Sequence, residues 1–184
     1  MTLNKDQIWA AGVLKRIEEK YNKIIDRTTT DFFPYTVEHK RFMESEYEQE
    51  YAWWTNGFYP GILWKLYLNT RNEKYKELAE HYEKLLDIPL KNFEGLHHDV
   101  GFMWLTTAVA NYRITGSKES RKRGLLAAST LSSRFNINGG FIRAWNQSES
   151  SGWAIIDSMM NLPLLYWASK ELNLGFSLLS SQSE

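Results

Sequence analysis

Cysteine is absent from the 184 residues, which excludes a disulfide framework and thiolate sites while leaving the compartment open. A net charge is absent too. Lys and Arg total 22, as do Asp and Glu, so no basic field exists to draw nucleic acid or an anionic membrane. No apolar run approaches the roughly 20 residues of a membrane span. The start, M-T-L-N-K-D-Q, has no apolar targeting core. The expectation is a soluble cytoplasmic protein, without nucleic-acid or membrane partners, long enough for one domain with a real core. Against these absences stand eight Trp and ten Tyr. Their flat faces suit a dense core or stacking against sugar rings.

Apolar residues at Ile8, Ala11, Leu14, Ile17, Tyr21, Ile24 and Ile25 recur every three or four positions. They predict a one-faced helix from Asp6 to about Asp26. Thr28 to Pro34 ends it in a loop, and the charged residues 38–50 suit a short exposed helix. After W-W-T-N-G-F-Y-P-G (53–61), a helix to about Asn69 is apolar nearly all round and must be buried on most faces. Thr70 and Glu73 match a capping box, opening a one-faced helix to Leu86. The alternation then returns. Asp99 opens an all-round apolar helix, Thr115-Gly116-Ser117 breaks it, and Lys118 to about Arg134 is one-faced and basic. Its cluster Arg121-Lys122-Arg123 reads as a solvated outer face. A Gly-rich loop, N-G-G-F-I-R-A-W-N (138–146), leads to a third all-round helix through Leu172. Pro163 would delay its regular part to near Leu162.

One-faced and all-round helices thus alternate, with Thr70 and Thr115 marking equivalent turns about 45 residues apart. The fold class this implies is all-α, an array or toroid of helical hairpins with buried inner helices and an outer layer in water. Polar residues recur where each inner helix starts: Asn56, Asp99 and Asp157. In a toroid of antiparallel hairpins all inner helices point one way, so these three would gather at one mouth. Asp157 lies in G-W-A-I-I-D-S-M-M-N (152–161), with no cation within five residues. An ionised carboxylate there needs donors, a partner or a raised pKa. Two readings follow: a general acid, or a cap for the helix behind it. Convergence at one mouth favours the acid.

Four segments resemble the unsaturated glucuronyl hydrolases, glycoside hydrolase family 88. They are W-T-N-G-F-Y-P-G-I-L-W (54–64), H-H-D-V-G-F (97–102), G-G-F-I-R-A-W-N (139–146) and G-W-A-I-I-D-S-M-M-N-L-P-L-L-Y-W-A-S (152–169). The resemblance implies an (α/α)6 barrel. It makes Asp157 the general acid and base and Asp99 the second essential carboxylate, with Trp53, Asn56, His98 and Trp145 lining the sugar site. The implied substrates are glycosaminoglycan oligosaccharides ending in a 4,5-unsaturated uronic acid. The implied reaction hydrates the C4=C5 vinyl ether rather than displacing the leaving group, so carboxylate-separation rules for other glycosidases do not transfer. The related unsaturated rhamnogalacturonyl hydrolases are the alternative, and a non-catalytic remnant is another. On this reading Asp99 stays ionised, or shares the proton, and holds Asp157 protonated. His98 is expected to donate to the sugar. Adjacent His97 and His98 point in different directions, so no metal and no cofactor is expected.

The resemblance covers roughly residues 50–173 of a chain that holds about half the roughly 300 residues a closed six-hairpin toroid needs. Residues 1–173 are therefore read as the N-terminal half of a barrel. Residues 174–184, L-G-F-S-L-L-S-S-Q-S-E, match neither an outer helix nor the family's continuation, as a truncated or frame-disrupted gene would leave them. The third inner helix then lacks cover, and self-association through it, with low turnover, is expected.

Overall fold

The computed structural model describes residues 4–26, 33–39, 41–43, 50–93 and 95–173. The tail at 174–184 and residues 44–49 of the charged stretch lie outside the described residues.

Helix α1 spans Lys5–Ile25, opened by a reciprocal capping box between Asn4 and Gln7. Of its apolar stripe, Leu14, Tyr21, Ile24 and Ile25 pack on the core, while Ile8 and Ile17 are exposed. The far half holds the helix in place. Tyr75 Oη donates to Asn22 Oδ1 at 2.7 Å, and Tyr21 stacks on Tyr59. Where residues 38–50 suited a helix, Thr36–Glu38 (β1) and Arg41–Met43 (β2) instead pair antiparallel.

Helix α2 spans Phe58–Thr70 and α3 spans Glu73–Leu85. The cap of α3 is Asn72, which accepts from Lys74 N at 3.1 Å. Thr70 does not fill that role, because its hydroxyl donates back to Leu66 O and accepts from Asn72 N. A short helix α4 (Asp87–Asn92), unforeseen in the sequence, crosses towards the next inner segment. That segment is two helices, α5 (Val100–Trp104) and α6 (Ala108–Thr115). Thr106 Oγ1 donates to Phe102 O and Gly57 O, and Thr107 Oγ1 donates to Met103 O. Hydroxyls competing for ladder carbonyls open the helix at this point.

Helix α7 (Lys118–Ser132) is the outer partner of α6 and is capped by Ser117. Only part of its basic cluster is solvated. Arg123 reaches Asp87 (2.6 Å) and buried Glu83 (3.2 Å), and Arg121 reaches Glu171 (2.7 Å), tying α7 to α3, α4 and α8. The Gly-rich loop is a small hairpin, with Phe135–Asn136 (β3) pairing Phe141–Ile142 (β4). Helix α8 spans Ser158–Glu171 and begins a turn earlier than the expected start near Leu162. Met159, whose carbonyl the proline leaves without a ladder donor, is exposed to water.

The layers match the alternation in the sequence. Helices α2, α5–α6 and α8 form an inner row and α3 and α7 lie outside it. Trp64, Trp104, Tyr75, Tyr82, Leu63 and Leu164 are fully enclosed between the layers. The leading ends of the inner row are drawn together by glycines. A β-carbon on Gly57 would meet Met103 Cα at 2.6 Å, and one on Gly101 would meet Asn161 Cα at 2.5 Å. Backbones can approach that closely only where no side chain intervenes.

Candidate active site

Asp99 and Asp157 occupy the capping positions of α5 and α8, yet neither side chain makes a capping hydrogen bond. The cap reading of Asp157 therefore does not describe this structure. Both carboxyls turn instead to one imidazole. His98 Nε2 lies 3.1 Å from Asp157 Oδ1 and 3.3 Å from Asp99 Oδ1. The ring cannot swing away, because His98 Nδ1 sits 2.8 Å from Ala144 O. Since a carbonyl only accepts, Nδ1 carries a proton, and Nε2 is the nitrogen free to exchange one with the acids.

The supporting shell comes from the β3–β4 hairpin. Arg134, just past α7, donates to Arg143 O, Ala144 O and Trp145 O, and to Asn146 Oδ1. This pins Ala144 O, and through it His98. Trp145 stands edge-on to the His98 ring at 6.0 Å and touches Trp153 at 5.7 Å. From α8, Asn161 donates to Asp157 O (3.2 Å) and accepts from Phe102 N (2.9 Å).

The electrostatics differ from the expectation in one respect. Asp99 is buried, and burial raises its pKa. His98 opposes the rise, nearby Asp157 adds to it, and a bond from Asn161 opposes it. Its Oδ1 is enclosed without an aligned donor, whereas the Asp157 side chain is 42% exposed. Burial thus pushes Asp99 towards the protonated form, away from the ionised state that was the first of the two expected of it. His97 is held down to about 4, mainly by burial and then by His98 and Arg134. Its 3.3 Å contact with Asp99 Oδ2 is accordingly that of a neutral ring at neutral pH, not an ion pair.

His98, expected to donate to a sugar, is 1% exposed with both nitrogens engaged. In this structure it bonds Asp157, lies against Asp99 and offers no free donor. Trp53 contacts Tyr35 and Trp54, and its Nε1 is enclosed without a partner. Asn56 is buried in the 3₁₀ turn Trp54–Gly57 that packs on α5. His97, His98 and Asp99 bring one ligand atom each within 4.8 Å of one another. The His98 nitrogens are already spent on Ala144 and Asp157, which leaves a poor donor set for a tetrahedral ion. Of the residues that build the site, Arg134 and Asn161 went unrecognised in the sequence. Only Asn161 left a signal, standing one helical turn after Asp157.

Two acids lie beside one imidazole at the leading ends of inner helices in a two-layer α/α fold, an arrangement able to exchange a proton. No protein-family model matches the chain. Individual proteins do. The chain is 39% identical to the unsaturated glucuronyl hydrolase of Bacillus sp. (strain GL1) over 122 residues, 64% of this chain and 32% of that protein. It is 37% identical to the unsaturated chondroitin disaccharide hydrolase of Streptococcus pneumoniae over 121 residues, 64% and 31% of the two chains. Its fold superimposes on an unsaturated glucuronyl hydrolase specific for heparin with a TM-score of 0.75 at 30% identity, covering 90% of this chain and 43% of that one. The chain is a partial relative of the unsaturated glucuronyl hydrolases and reproduces part of their α/α barrel. It spans about a third of the length of the curated relatives it matches.

Proposed function

We propose that this chain carries the acid–base wall of a hydrolase for oligosaccharides that end in a 4,5-unsaturated uronic acid. The observation that carries the reading is the convergence of Asp99 and Asp157 on His98 Nε2, with neither carboxyl spent on capping. The relatives' names supply the substrate class. One acts on a chondroitin disaccharide and another is specific for heparin, so the shared unsaturated uronate, not one polymer, is the proposed determinant. No cofactor enters the proposed reaction, and a cytoplasmic site of action belongs to the same proposal.

The chemistry follows from the pair. Asp99, whose pKa burial raises, is the proposed store of the proton. His98 Nε2 takes it and passes it to Asp157 Oδ1. Asp157 delivers it to C4 of the vinyl ether, leaving positive charge on C5 and the ring oxygen. The Asp157 carboxylate then removes a proton from the water that bonds to C5. The C4=C5 π bond is consumed, and C4–H and C5–OH bonds form. The C5 hemiketal opens the ring, and C1 sheds the sugar it carried. Trp145 and Trp53 are proposed as stacking faces and Asn56 as a polar contact for the sugar.

Turnover should be slow. Asp157 is half-open to water and Ile156 beside it is 88% exposed, so the described residues neither exclude water nor grip the substrate from the far side. The test is loss of the ultraviolet absorbance of an unsaturated chondroitin disaccharide, using the purified chain and Asp157→Asn. Slow loss that Asp157→Asn abolishes supports the reading. Loss that Asp157→Asn leaves unchanged refutes it, and no loss with the unaltered chain favours a non-catalytic remnant.

A further inference from the structure

Asn161 is 1% exposed, and the polar atoms of its amide are committed to the two acid-bearing segments. Its Oδ1 accepts from Phe102 N at 2.9 Å, capping α5 from outside, where Asp99 would otherwise be the capping group. Its Nδ2 donates to Asp157 O at 3.2 Å. Its backbone lies directly against Gly101, where a β-carbon would come within 2.5 Å of Asn161 Cα and 2.7 Å of its carbonyl. A side chain that merely filled this space would carry no polar atoms, since burying an amide is costly unless it is bonded.

We propose that Asn161 is a positioning residue, which by bridging Phe102 N and Asp157 O sets the spacing at which the two acids approach His98. It takes the capping duty at α5, leaving Asp99 free for His98. This inference rests on the acid–base reading of the site and names the residue that holds it together. The ionisable groups facing Asp99 are His97 and His98 on its own segment and Asp157 on α8, with Arg134 acting on His97 from behind. The 54–57 turn packed on α5 brings none.

The test is a double-mutant comparison on the full chain, following the carboxyl-carbon NMR resonance of Asp99 against pH. In the unaltered background, Asp157→Asn removes a like charge and should lower the Asp99 midpoint by about one pH unit or more. In an Asn161→Leu background, similar in volume but without polar atoms, the same substitution should lower it by less than about half as much. On an unsaturated disaccharide, Asn161→Leu should also lower kcat about tenfold while KM changes less than about threefold. An undiminished response of Asp99 to Asp157→Asn overturns the proposal. Asn161→Ala serves if the leucine variant does not fold, and if neither folds, Asn161 is structural and the proposal fails. A chain without turnover refutes the proposed activity alone, because the Asp99 titration reads the spacing without substrate.

Discussion

Gly101→Ala puts the geometry of the mouth under direct strain. The added β-carbon would stand 2.5 Å from Asn161 Cα, 2.6 Å from its Oδ1 and 2.7 Å from its carbonyl. Two of these obstacles are main chain, so no rotamer change relieves them. Ordinary contact begins at about 3.4 Å, and α5 and α8 must therefore part by nearly 1 Å. Overpacking of this kind costs about 1–3 kcal/mol. Stretching the 2.9 Å bond from Phe102 N to Asn161 Oδ1 forfeits about 1 kcal/mol more. Alanine's better helix propensity returns at most about 1 kcal/mol. The net expectation is a loss of about 2 kcal/mol, read from urea unfolding. Asp157 travels with α8, so its contact with His98 Nε2, now 3.1 Å, opens to about 4 Å. A misplacement of that size costs on the order of 100-fold in rate. Gly12→Ala on α1 is the control. Its β-carbon meets nothing within 4 Å, and the same substitution there should stabilise by about 0.5–1 kcal/mol. A Gly101→Ala chain as stable as the unaltered one, with turnover intact, would show that the close approach of α5 and α8 does not set the site.

Three further outcomes are expected. Arg123→Ala removes the cation from Glu83, which is 1% exposed and whose pKa burial raises. The cost should be about 3 kcal/mol at neutral pH, shrinking as the pH falls through the raised folded pKa, because a protonated Glu83 needs no cation; urea midpoints across pH check this. His97 titrates at about 4 in the fold against an ordinary 6.5, so on acidification the unfolded chain takes up the proton first. The neutral ring's stabilisation is complete above pH 6.5 and lost as the pH falls towards 4, up to about 3 kcal/mol, and His97→Phe should flatten that limb of the stability curve. Finally, Ile156, Met159 and Met160 leave an apolar face at the start of α8 exposed, which we propose seats a second copy of the chain. Met160→Glu should then lower the sedimentation coefficient to that of a monomer, and an unchanged boundary would count against it.

Much of the layered fold was legible because its signals are periodic. The inner rows around Trp64 and Trp104 and the one-faced stripe of α3 announce themselves at helical spacing. Tertiary bonds between groups far apart in sequence were not legible. Glu83 sits in a charged helix and looks solvated until Arg123, Ser120 and Asn111 are seen around it. The break between α5 and α6 comes from two threonines whose hydroxyls could as well have faced outward. At the site, Asp99 and Asp157 stood out by type and place, His98 and Trp145 through the family resemblance, and the structure brings the four together. Two things did not follow from residue type. One is which acid is the more deeply buried, and the other is which nitrogen of His98 faces the acids.

A carboxyl at a helix start is ordinarily consumed by the backbone, since the N–H groups of the first turn are the nearest donors. At α5 a first-turn donor is met from the neighbouring helix by Asn161, and at α8 the residue before the first turn keeps a helical backbone that turns its side chain away from the cap. Both acids are thereby left with bonding capacity to spare, and the nearest group able to use it is His98, held by Ala144. If this account is right, supplying α5 with a cap of its own should disengage the pair. Asp99→Ser, with a short side chain suited to the first-turn N–H groups, should leave the chain at least as stable as Asp99→Ala, by about 1 kcal/mol, while removing the charge that faces Asp157. Asp99→Asn keeps the carboxyl's shape but cannot hold the proton. Measured together by urea unfolding and turnover, the serine and asparagine variants, both good N-caps, should be similarly stable and equally slow. Turnover in either variant near that of the unaltered chain would mean that Asp157 works without its buried neighbour.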